Sequence, residues 1–464
     1  MDVTSNTVDA NTLISGYTAI GNNGETVTGG LVGGPYYGIY DSIMRIGSVH
    51  ASGSSYYKYT SEDVTNWINS YSEIDKTTFQ GVTFIGSFYF NNISSYIRNN
   101  AFAFGFCGNG TGLVNDADFY FNNFSSVLDH GVFYHNSNIT NVIMPLCTSI
   151  RSYAFYSASI KSVNFPVCTE IGTSAFYNCA ISEVSFPACT KIESYAFNSC
   201  RYLNKAVFPI CTEIASYAFT SCRSLSLPDF PTCLTIGYGA FSTCSQLISV
   251  NFPKCETIGG SAFASCVSLT TISFPQCTTV GIYAFARCGA LTSVSFPQCT
   301  SIGANAFASC GALTSVSFPQ CTSVGANAFN SCSSLSQISL PMVQNISGSA
   351  FQYCYALESI DLPNCEALGS YAFSNCYNLT TVDLPKVSRI YGNTFQSCYN
   401  LISLYLLGNT ICTLTAINAF NSTPIYNYST SAGQWGSVFV PSSLYVDYCA
   451  SSNWSLISSR IVSV

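Results

Sequence analysis

The stretch "TSVSFPQCTSIGANAFASCGAL" fills residues 292–313, and "TSVSFPQCTSVGANAFNSCSSL" follows at once over 314–335, differing at four positions. The same beat runs much further. Prolines recur from Pro145 to Pro385 in eleven steps, nine of 22 residues and two of 21, and phenylalanines keep the register from Phe155 to Phe395. A fixed period in the twenties with apolar residues in register is the mark of a solenoid. One unit of this size cannot bury its own apolar face, so the copies must stack and share a core.

Within a unit the pattern predicts one strand before each proline. Val294 and Phe296 alternate with polar Ser293 and Ser295, as a half-buried strand requires. Proline then stops the strand because it has no N–H to give to a ladder. "CTSIG" is read as the segment that carries the chain round, with Ile302 inward, and "ANAFASC" as one tight helical or irregular turn that seats Phe307 and Cys310. Leu313 begins the next strand. The segments 88–107 and 119–136 keep the order of strand, turn and phenylalanine but lack the proline, and they read as divergent early coils.

Cysteine falls into two columns. Ten lie two residues after a proline, Cys277 and Cys299 among them, and eleven lie three after a phenylalanine, including Cys288 and Cys310. Cys107, Cys412 and Cys449 stand apart. A disulfide framework is the first reading of so many cysteines. Against it, Val343, Val387 and Ala158 replace cysteine in its columns, and Cys365 stands between the two valines without a neighbour in its own column. Adjacent strands about 4.8 Å apart also hold side chains wider than the roughly 3.5–4.5 Å between bonded Cβ atoms. No C-x-x-C pair is present for zinc. The columns are therefore read as buried free thiols that pack as small hydrophobes beside Phe285, Phe307 and Phe329.

Composition narrows the function classes. Charged residues are only 8% of the chain and the net charge is −7, without any run of Lys or Arg, so phosphate neutralisation on nucleic acid has no visible means. No apolar stretch is long enough to span a bilayer, and the opening "MDVTSNTVDANTL" lacks a secretory pattern. His50, His130 and His135 show no catalytic spacing with a nucleophile and an acid, there is no G-x-S-x-G, and "GNGTG" at 108–112 opens no helix pattern. The reading is non-enzymatic, with no cofactor and no metal.

The unit "LTSVSFPQCTSIGANAFASC" resembles the BspA-like leucine-rich repeat, found in bacterial surface proteins, some protozoan surface proteins and phages of gut bacteria. The resemblance covers about residues 85–404, regular from about 139, and implies a binding or adhesion scaffold. "ANTLISGYTAIGNNGETVTGGL" at 10–31 is similar to short units near the ends of phage tail-fibre and minor tail proteins, and residues 417–464 look like the closing module that follows such repeats in phage proteins. The expected organisation is an attachment segment over 1–34, an aromatic-rich connection over 35–84, a mainly β solenoid of stacked coils with short helical turns over 85–404, and a cap over 405–464. The cap is predicted as a strand at "SVFVP" and a helix near Ser443–Ala450, with Trp454 and Ile457 covering the last coil.

These flanks imply a virion tail protein, released into the extracellular space with the particle. It would be held to other tail proteins by its N-terminal segment and present a host-binding surface for a glycan or protein, with room for a homo-oligomer. The alternative is a bacterial secreted or cell-surface adhesin of the same repeat family. For the binding surface, Tyr355, Tyr377 and Tyr399 each follow a column cysteine at a spacing of 22 and predict an exposed aromatic ladder. Tyr153, Tyr195, Tyr217, Tyr283 and Tyr371 share a second column, eight after the proline, while Asp361 and Asp383 occupy the same outward strand column as Ser273, Ser295, Ser317 and Ser339. Flat rings beside hydroxyls suit sugars or protein surfaces. The plainer reading of the tyrosines is a polar coat that stands in for missing charge, and of the aspartates a solvated strand face. Asn138 and Asn378 head N-x-S/T triplets of the kind chance supplies in such a chain.

Overall fold

The structure is a computed structural model of the chain. It describes residues 117–464 apart from Asn138, together with the backbone of strands Tyr17–Ile20, Thr26–Gly29, Tyr37–Tyr40, Ile43–His50, Gly53–Lys58 and Val82–Tyr89. Cys107, the 108–112 stretch, Asn138 and most of the segments 1–34 and 35–84 lie outside the described residues. The chain forms two compact units, Met1–Cys211 and Thr212–Val464.

From Ala117 onward each unit is a stack of parallel coils at the predicted period, and each regular coil makes two strands where the sequence predicts one, whereas Ile43–His50 pairs antiparallel with Tyr37–Tyr40 and with Gly53–Lys58. The three-residue strand before the proline pairs in register with its neighbours, as Val294 does with Val316 across Ser293–Ser295 and Ser315–Ser317. The "CTSIG" segment, read as a connection, forms a second strand: Ser301–Ile302 pairs with Thr279–Val280 on one side and Ser323–Val324 on the other. Two residues are too few for alternation to reveal a strand. The pairing partner, supplied by the repeat itself, makes it one. In the first unit the same two ladders run through Val127–Leu128, Ser149–Ile150, Glu170–Ile171 and Lys191–Ile192, and through Val82–Tyr89, Ala117–Tyr120, Ile139–Ile143 and Ser162–Asn164. The divergent segment 119–136 is thus a coil of the stack, with Phe119, Phe124 and Phe133 buried.

The third side of each coil differs from the expected helical turn. It is a chain of reverse turns with two residues of left-handed backbone four positions apart, such as Asn305 (φ 57°) with Ser309 (62°), or Tyr283 (59°) with Arg287 (63°). The hydrogen bonds explain why. The N–H groups of Tyr283, Phe285 and Arg287 donate along the stack to carbonyls of Ala304, Ala306 and Ala308, while those of Ala284, Ala286 and Cys288 close turns onto carbonyls three residues back. A helix would satisfy each N–H inside the coil and give the next coil nothing. This arrangement pairs every one of these groups and still ties each coil to the next.

Two phenylalanine columns fill the interior. Phe285 stacks between Phe263 and Phe307 at centroid distances of 5.2 and 5.3 Å, and meets Phe274 and Phe296 at 6.0 and 6.1 Å with their planes inclined. The stacking continues into the C-terminal module, where Phe420 lies 5.9 Å from Phe395. There the short helix Tyr445–Ala450 and the turn at Trp454–Arg460 close the last coil. Trp454 and Ile457 are buried, and the indole Nε1 donates to the Cys412 carbonyl at 2.7 Å.

Candidate functional site

The predicted core residues Phe285, Phe307, Phe329, Cys277, Cys288, Cys299 and Cys310 have no exposed surface. Every described cysteine is a free thiol, and all but Cys449 are buried. Both columns do more than fill space. The second donates backwards along the stack, Cys310 Sγ reaching the Phe285 carbonyl and Cys288 Sγ the Phe263 carbonyl, each at 3.2 Å. The first closes a local turn, as Cys299 Sγ does on the Ser301 carbonyl at 3.1 Å. Burial pushes these thiols up, Cys299 to about 11 and Cys277 and Cys310 to about 12, and neighbouring column thiols add to the rise at Cys277. A protonated, enclosed thiol is neither a nucleophile nor a metal ligand.

The residues assigned to ligand binding fall on different faces of the second unit. Tyr355, Tyr377 and Tyr399 form one ladder, with centroids 4.8 Å apart and planes at 22° for the first pair, then 5.2 Å and 34° for the second. Two further rings join it that spacing did not reveal. Tyr428 lies 5.2 Å from Tyr399, and Tyr353 meets Tyr355 edge-on at 6.2 Å. Tyr428 enters from the cap, 29 residues after Tyr399, so the period could not point to it. Asp361 and Asp383 are register partners on adjacent strands. Burial and the neighbouring Asp361 raise the Asp383 carboxyl, whose Oδ1 is enclosed without a hydrogen-bond partner. Tyr371 sits at a left-handed turn position (φ 62°) on a third side of the coil.

The ladder corrects one part of the sequence reading. Rings stacked this closely cover one another's faces, so Tyr377 and Tyr399 offer edges and hydroxyls to a ligand, not flat surfaces. The exception is Tyr355. In the preceding coils its column holds Ser333, Gly311 and Gly289, so no ring of its own column stacks on the face it turns toward them. Burial, followed by its tyrosine neighbours, raises the Tyr377 hydroxyl. In the first unit Tyr134, Tyr156 and Tyr177 form a comparable stack at 5.1 and 4.7 Å. Each directly follows a column phenylalanine, a signal present in the sequence and passed over.

The family profile of the BspA type leucine rich repeat region matches residues 126–235, 212–336 and 322–433, about two thirds of the chain. The chain belongs to that family. Among solved structures, this BspA-type chain is similar to a leucine-rich repeat protein from Bacteroides ovatus, at 25% identity and a TM-score of 0.47 over 61% of this chain and 82% of the other. A leucine rich cell surface protein from Faecalibacterium prausnitzii is also 25% identical, with a TM-score of 0.40 over 62% and 83%. The pneumococcal vaccine antigen PcpA is 13% identical, with a TM-score of 0.43 over 93% and 98%. No curated protein matches the chain. Repeat solenoids of this kind typically serve as binding or structural scaffolds. Among the described residues, no helix of the BspA-type chain is long and apolar enough to cross a membrane, and no three His, Cys, Asp or Glu side chains gather as for a metal.

Proposed function

We propose that this chain is a non-enzymatic recognition scaffold of a phage tail, fixed to other virion proteins by residues 1–34 and contacting the host surface through its tyrosine ladder. The ladder's geometry carries the recognition reading. Four rings from Tyr355 to Tyr428 present a row of hydroxyls, and no column ring stacks beyond Tyr355, where Ser333 holds the preceding place. An array of that kind meets a glycan or protein with rigid apolar area at low entropy cost and with hydrogen bonds along one edge. The placement on a virion rests on the likeness of residues 10–31 and 417–464 to phage tail modules.

Host-cell binding of Tyr355→Ser, Tyr377→Ser and the Tyr355/Tyr377/Tyr399 triple variant tests the recognition reading. Loss of about 0.5–1.5 kcal/mol per ring is expected, greatest at Tyr355 because its column continues no further on that side. A triple variant that keeps its circular dichroism and binds host cells like the parent refutes the ladder as the contact. Deleting residues 1–34 tests the virion reading separately: the solenoid should fold and fail to enter particles. Normal incorporation, or a chain found fixed to a bacterial wall in place of a particle, overturns the tail assignment.

A further inference from the structure

The second unit carries a groove of about 410 Å3 that no ladder ring lines, made by the turn sides of four successive coils. Its origin lies in the residue that follows each column phenylalanine. That place holds Asn330, Gln352 and Gln396 in later coils, but Ala264, Ala286 and Ala308 in sequence here. Three methyl groups leave a trough where longer side chains would stand, and Ala286 at its middle is only 6% exposed. Tyr283, 47% exposed, rises on one side with the amides of Asn305 and Asn327.

Arg287 stands at the trough and breaks the rule of its own column. The second left-handed position of the coil is otherwise filled by small or neutral residues, Ser265 and Ser309 on either side of it. Here the repeat places a long cation on backbone that disfavours it (φ 63°). Between Glu256 and Glu358 it is the sole charged side chain of the sequence. It is exposed, and no acid of the described residues pairs with it. An isolated guanidinium on a neutral surface lacks the fold-stabilising partner that would explain it, and its fork geometry matches a carboxylate.

We infer that this groove binds a short saccharide bearing a carboxylate, a uronate or sialate, with Arg287 holding the carboxylate and Tyr283 lying against the ring. Three inter-coil steps span roughly 14 Å, room for a short oligosaccharide, and the volume falls in the ordinary range for ligand sites. The amides and serine hydroxyls of the rim supply the neutral hydrogen bonds that sugar hydroxyls need, and one cation matches one anion. The site stands or falls independently of the tyrosine ladder.

The test is calorimetric titration of the full chain with trigalacturonate and with 3′-sialyllactose, each beside its methyl ester, and with hexaglutamate as a peptide control. At least one acid should bind about tenfold or more tighter than its ester. Arg287→Ser, the residue of the neighbouring coils, should remove that preference, and Arg287→Lys should keep part of it. The ladder triple variant should bind the acid like the parent. Binding of neither acid, equal binding of acid and ester, an unchanged Arg287→Ser variant or tighter binding of hexaglutamate overturns the assignment.

Discussion

Alkali should dismantle this solenoid below pH 10, and the thiol columns set the magnitude. Fourteen buried thiols of the second unit, from Cys244 to Cys412, are all raised above the ordinary thiol value of 9.0, most of them to about 11 or 12. An acid group whose folded value is raised stabilises the fold fully below its unfolded value, and the stability disappears as pH climbs toward the folded one. The window therefore opens near pH 9. In the unfolded chain each thiol ionises there, while in the coil it keeps its proton, which removes about 1 kcal/mol per thiol between pH 9 and 10. Fourteen such groups together withdraw about 14 kcal/mol, comparable with the whole stability of an ordinary domain. Urea midpoints followed by circular dichroism from pH 7 to 10, with reductant present, should fall slowly to pH 8.5 and then collapse, and thiolate absorbance should appear at the same pH. Replacing Cys266, Cys288 and Cys310 by Ala should return about 1 kcal/mol each of the alkaline loss. A chain that is as stable at pH 10 as at pH 8 would falsify the reasoning, because protonated enclosed thiols cannot leave stability untouched there.

Three further outcomes follow from the packing. Iodoacetamide should label Cys449 first among the described thiols, since it alone is partly exposed; mass spectrometry showing column cysteines labelled at equal rate in the native chain would contradict the burial. Phe285→Ala should cost about 3–5 kcal/mol in chemical denaturation, because the ring is stacked on both sides and the cavity opens onto neighbouring coils. Tyr371→Asn should stabilise by about 0.5–1 kcal/mol, since asparagine tolerates the left-handed backbone that Tyr371 adopts and already serves at Asn305 and Asn327; a loss of stability would mean the ring has packing worth more than the strain.

The parts legible in the sequence were those that repetition writes large. The period, the strand before the proline, the inward phenylalanines and the two thiol columns all show as residues in register. What stayed hidden depends on one coil meeting another. Ser301–Ile302 is a strand only because Thr279 and Ser323 lie beside it. The left-handed pairs are occupied by tyrosine, arginine, serine and asparagine alike, so no residue type announces them, and a helical reading of "ANAFASC" was natural. The thiol donors require the Phe285 carbonyl of one coil to stand above the Cys310 of the next. At the candidate surface the ladder's first three rings were legible from spacing, whereas the covering of their faces, and the entry of Tyr428, follow from distances that spacing does not contain.

The near-identity of 292–313 and 314–335 has a consequence for inheritance. Phe307 sits on Phe285 at 5.3 Å and 5°, and Phe329 sits on Phe307 at 5.3 Å and 2°. Val294 meets Val316 as Val316 meets Ile338. The upper and lower surfaces of these coils are therefore interchangeable. An in-frame slip during replication that removes or copies one such segment creates no new junction, because the coils brought together already fit. The reach of the scaffold can change by whole coils in a single mutational event, and each product arrives with its core already matched.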